Sequence, residues 1–143
     1  MSIDPTASSP ETGERVHTVW NYYDGPREGI ADFQGKPHLY KCQFSEANDD
    51  WTDLFWLMPI DEELLAIARE QHAIFLRWRA EFDQGHVPIK SHPALPVDRV
   101  RYNELQAALG DRLQLQPQRS ITQRARFSNR SASEDAVVHW ALP

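Results

Sequence analysis

A single cysteine, Cys42, leaves the chain without an intramolecular disulfide and without the second thiolate that a sulfur-ligated metal site needs. Set in an apolar run, it reads as a small buried hydrophobe in a protein of a reducing compartment. No stretch approaches the roughly 18 consecutive apolar residues of a membrane span. The residues Met1 to Glu14 hold neither a basic nor an apolar block, so no signal peptide is expected. Together these point to a cytoplasmic protein with no membrane partner.

Catalytic spacings are missing as well. The histidines His17, His38, His72, His86, His92 and His139 form no His-x3-His or Glu-x-x-His pair on a helix, so no metal and no cofactor is expected. The acidic run Glu46, Asp49, Asp50 and Asp53 lacks the alternation and the distal glutamate of a calcium loop, and reads as a solvated loop. There is no Gly-x-Ser-x-Gly elbow and no glycine-rich phosphate loop.

What is present is enough to fold. The 143 residues are 41% hydrophobic, which suffices for one core without disulfides or a structural metal. The net charge of -6 is unevenly placed: 13 acidic and 4 basic residues up to Glu63 give -9, and 8 acidic and 11 basic residues beyond it give +3. The total disfavours nucleic acid as a partner, although no acidic residue interrupts the strip from Arg112 to Arg130. Weak, salt-sensitive self-association of the two halves is the preferred reading of that polarity.

Alternation organises the first part of the chain. His17–Tyr23, Glu28–Phe33, His38–Phe44 and Trp51–Met58 read as strands, broken at Asp24-Gly25-Pro26 and around Gly35. Strand parity puts Gly29, Ala31 and Phe33 on one face with His38, Tyr40 and Cys42, and the small Gly29 and Ala31 leave room for the ring of Tyr40 or of a residue from the covering helix. A helix follows over about Glu62 to Gln84, opened by Asp61 and stopped by Gly85. A second runs from Pro96 to about Leu113, with Val97, Val100, Leu105, Leu109 and Leu113 or Tyr102 on its buried side. Arg119 to Phe127 reads as a last strand at a sheet edge, guarded by its arginines. The apolar Ala136 to Leu142 is expected to dock on the body or on a partner.

The fold class expected is therefore α+β: an antiparallel sheet of three to five strands with two helices packed on one face. Residues 1–15 form a loose tail, 16–127 one domain, and 128–143 a linker with a short docking segment. The block from Tyr22 to Phe44, YYDGPREGIADFQGKPHLYKCQF, with the acidic loop, aromatic strand and helix that follow, resembles a group of small bacterial proteins with no assigned activity. That resemblance implies a bacterial cytoplasmic origin and transfers no site residue.

For function, the cluster Trp20, Tyr22, Tyr23, Asp24, Arg27 and His38 has the composition of a binding hot spot, in which rings supply area at small entropic cost and Arg supplies directional bonds. It points to a non-enzymatic protein-binding or regulatory module of the adaptor, immunity or antitoxin kind. The alternative is a small-molecule binder or enzyme using His38 as a general base beside Asp24, Glu28 or Asp32.

Overall fold

The computed structural model describes residues 13–129 and 136–143. The chain divides into two compact units: the residues up to Asp61 together with those from Leu115 onward, and Glu62–Gln114.

The first unit is a closed barrel of six antiparallel strands, β1 (Glu14–Tyr22), β2 (Pro26–Phe33), β3 (Lys36–Ser45), β4 (Asp50–Pro59), β5 (Ile121–Asn129) and β6 (Ala136–Ala141), each paired with the next in sequence and the last with the first. This up-and-down path corrects the expected α+β sheet of three to five strands under two helices. Closure follows from the C-terminal pair of strands. β5 does not lie at an edge, because β4 holds one side of it and β6 the other. The apolar segment Ala136–Ala141 then returns to β1 through Val138 opposite Glu14 and Val137 opposite Arg15. Each of the six strands then has a strand on both sides over at least part of its length.

Local chemistry sets the register. β2 and β3 are joined by Gln34 and Gly35, both at positive φ (55° and 77°), as a type I′ hairpin turn requires. The turn is held from below by Glu14, whose carboxylate accepts the Gln34 and Gly35 N–H groups at 3.0 and 2.8 Å. Across this hairpin Ala31 faces His38 and Gly29 faces Tyr40. In β1 a register shift falls between Val16 and Thr18, and the Thr18 hydroxyl accepts the Ile30 N–H at 3.0 Å, so a side chain fills the place of a ladder bond.

Inward-facing side chains fill the barrel: Val16, Ala31, Tyr40, Cys42, Phe55, Leu57 and Val138 are all buried. Tyr40 and Phe55 each pack at 5.5 Å from Phe127, and Phe55 lies 6.2 Å from Trp140, all in tilted or edge-on geometries. The Tyr40 hydroxyl reaches across to donate to the Thr18 carbonyl at 3.1 Å. At the lower end Asp32 ties the seam: its carboxylate meets His17 Nε2 at 2.8 Å, and its carbonyl accepts the Trp140 indole N–H at 2.8 Å.

The second unit holds α1 (Glu62–Asp83) and α2 (Arg99–Leu109), joined by short 3-10 turns. Gly85, at φ 76°, closes α1, with its own N–H on the Phe82 carbonyl and the His86 N–H on that of Glu81, a Schellman pattern. Ile74, Ala94 and Leu105 make a small core. Beside it Trp78 is stacked 5.0 Å from Phe82, and donates its indole N–H to Ser91 at 2.7 Å. Of the second helix's expected buried side, Leu105 and Leu109 are buried, but Val97 and Val100 are 87% and 73% exposed. The reason is phase. Pro96–Asp98 is a 3-10 turn and α2 begins only at Arg99, so Tyr102, Leu105 and Leu109 set its inner stripe and Val100 falls on the opposite side.

The open end of the barrel as candidate site

Two of the six seams are short. β4 pairs with β5 only over Leu54–Leu57 and Ile121–Arg124, and β1 pairs with β6 only through Glu14 and Arg15. Beyond those pairs the hairpin of β5 and β6 leaves both neighbours. An open cleft of about 640 Å³ lies at this end, with Val19, Phe55, Ala125 and Phe127 as an apolar floor. Tyr22, Asp24, Arg27 and Asp53 contribute its polar margin.

The turn between β1 and β2 shapes that margin. Asp24 and Gly25 both stand at positive φ (54° and 122°), and the Tyr23 N–H donates to the Gly25 carbonyl at 2.9 Å. Arg27 clamps the turn: Nε donates to the Tyr23 carbonyl at 2.7 Å, Nη2 to the Asp24 carbonyl at 3.1 Å, and the guanidinium lies 5.4 Å from the Trp51 ring centre. Trp51 in turn meets Phe44 edge-on at 5.2 Å. Tyr22 and Tyr23 are left 71% and 68% exposed.

Of the six residues singled out in the sequence, Trp20 on β1 is outside the lining of the cleft, and Tyr22, Tyr23, Asp24 and Arg27 lie together at the open end. His38 does not. It is buried near the other end of β3, with Nδ1 2.8 Å from the Lys36 carbonyl oxygen and its ring edge-on to Phe33 at 5.4 Å. Among the described residues no hydrogen bond or ion pair joins His38 to Asp24, Glu28 or Asp32. Glu28 stands opposite Lys41, and Asp32 is held by His17. The His17–Asp32 pair escaped the sequence reading because two residues 15 apart give no local signal; only the β1–β2 register brings them together.

Cys42 sits beneath the clamp. Its thiol donates to the Thr52 carbonyl at 3.1 Å, and burial pushes its pKa up against a smaller opposite pull from Arg27. A thiol held protonated is a poor nucleophile. Among the described residues no three of His, Cys, Asp and Glu come close enough to hold a metal ion. The basic strip is also partly used inside the chain, since Arg124 Nη1 lies 2.6 Å from both oxygens of Asp53. Arg126 and His139 line a second open cleft of about 540 Å³.

Comparison of the chain with family models, with curated proteins and with solved structures gave no match. Among the described residues no helix is long and apolar enough to cross a membrane.

Proposed function

We propose that this is a non-enzymatic protein-binding module of the bacterial cytoplasm that receives its partner at the open end of the barrel. One observation carries the reading: a rigidly clamped turn holds Tyr22 and Tyr23 in solvent beside an apolar cleft. Exposed rings around a concave apolar floor are expensive for a monomer to maintain in water, and they match the anchors of protein interfaces. Arg27 contributes by fixing the turn, so the rings are ordered before the partner arrives and little freedom is lost on binding. Cys42, unpaired and buried, fits a reducing compartment.

The test is comparative capture from the source cell, with the wild-type chain and a Tyr22→Ala/Tyr23→Ala variant as baits. A partner retained by the first and lost by the second is the expected outcome. Equal retention on both, or recovery of bait alone, would refute the proposal.

A further inference from the structure

Resting on the reading that the open end is where a partner docks, we infer that the segment received there is basic: an extended stretch of protein carrying Lys or Arg beside an apolar side chain. The floor formed by Val19, Phe55, Ala125 and Phe127 suits an aliphatic or aromatic group. The margin suits a cation. Asp24 lines the cleft, and the loop between β3 and β4, at the same end of the barrel, adds Glu46, Asp49 and Asp50, all exposed. Among the described residues none of these four carboxylates has an ion-pair partner, whereas Asp53 is already paired with Arg124.

Among the described residues the one cation that lines this cleft, Arg27, forms no ion pair with them. Arg27 is engaged with the Tyr23 and Asp24 carbonyls and with the Trp51 ring, and that contact fixes the start of β4 next to Asp50. The exposed rings of Tyr22 and Tyr23 add faces on which a Lys or Arg side chain can lie. At longer range Asp24, Glu46, Asp49 and Asp50, all exposed at this end, draw a basic segment and repel an acidic one.

The backbone gives the segment its form. At the start of β4 the Trp51 N–H is already taken by the Asp50 carboxylate at 2.8 Å. β5 beyond Arg124 has β6 on one side and, among the described residues, no strand on the other. An extended chain laid along Ala125–Asn129 finds ladder groups there, and alternate side chains then point to the floor and to the acidic margin.

A phage-displayed library of random dodecapeptides, selected on the immobilised full chain, tests this. Parallel selections use Asp49→Asn/Asp50→Asn and Tyr22→Ala/Tyr23→Ala variants, each confirmed to keep the wild-type circular dichroism and melting midpoint. Asn keeps the oxygen that accepts the Trp51 N–H, so the first variant removes charge and little else. Expected are sequences rich in Lys or Arg next to Leu, Ile, Phe or Trp. A synthetic consensus peptide should bind the Asp49→Asn/Asp50→Asn variant about 2- to 10-fold more weakly at low salt, a difference that fades at 0.5 M salt. Peptides with no excess of Lys or Arg, yet lost on the tyrosine variant, would overturn the basic segment and leave the docking site standing. Peptides that bind all three proteins alike, or a selection that enriches nothing, would overturn both.

Discussion

Gly29 leaves no room for an added side chain unless its neighbours move. It faces Tyr40 across the β2–β3 ladder, and a methyl group built on it falls on the Thr18 carbonyl oxygen of β1 and 2.7 Å from the Tyr40 hydroxyl. Neither neighbour is the loose end of a flexible chain: one is backbone, the other a fully buried ring already bonded to that same carbonyl at 3.1 Å. Gly29→Ala must therefore part β1 from β2 or expel Tyr40. Overpacking of this kind costs about 1–3 kcal/mol, and loss of the Tyr40–Thr18 bond adds about 1 kcal/mol. The expected destabilisation of about 2–4 kcal/mol is a fall in melting midpoint of roughly 7–13 °C for a chain of this size. Tyr40→Phe alone should cost about 1–2 kcal/mol, through the unpartnered carbonyl. The double variant should cost less than the sum, because removing the hydroxyl removes one of the two clashes. Thermal and denaturant unfolding followed by tryptophan fluorescence reads all three. A Gly29→Ala midpoint within a degree or so of wild type would show that β1 and β2 do not approach as described.

In the helical unit, Trp78→Ala should destabilise by about 3–5 kcal/mol, because the indole is buried, stacked on Phe82 and bonded to Ser91; far-UV circular dichroism through a urea titration measures it. Burial holds the His72 pKa below its ordinary 6.5, so the unfolded chain binds the proton more readily and stability should fall as pH drops through that value. Midpoints at pH 7.5 and 5.5 should differ less in His72→Leu than in the wild type. The Cys42 thiol, raised by burial and donating to Thr52, should react with a thiol reagent far more slowly in the native protein than after unfolding; equal rates would mean that the clamp over it is open.

Much of the fold was legible from periodicity alone. The parity of the β2–β3 hairpin, with Gly29 and Tyr40 on one face, follows from alternation and a loop of even length, both local, whereas the pairing of Gly29 with Tyr40 needed the two-residue turn that the structure shows. The long helix was legible for the same reason, and its end at Gly85 needed only a glycine in the right place. Closure was not legible, because nothing within Ala136–Ala141 says that this strand pairs with Glu14 and Arg15 at the far end of the chain. Its residues Val137, Val138 and Trp140 are almost uniformly apolar, which suits a docking segment as well as a strand held on both sides. At the site, Tyr22 to Arg27 were legible as a cluster because one turn holds them. His38 was joined to them by composition, and strand length separates it. Asp53 and Arg124, 71 residues apart, gave no signal before the β4–β5 register was known.

The helical unit interrupts the barrel between β4 and β5, and this governs the order in which the molecule can assemble. Leu57 meets Ile121 across 64 residues, where a plain hairpin would need only a few. Each doubling of a loop adds about 0.6 kcal/mol to the entropy of closing it, so a floppy insertion would slow this step by roughly 3 kcal/mol against a tight turn. During synthesis the four-stranded meander emerges first and waits with two exposed edges, and the final seam of Glu14 with Val138 forms only after β6 has followed β5 out of the ribosome. Early folding of the Glu62–Gln114 unit shortens the effective loop. Chains truncated before β6 become the species most exposed to aggregation.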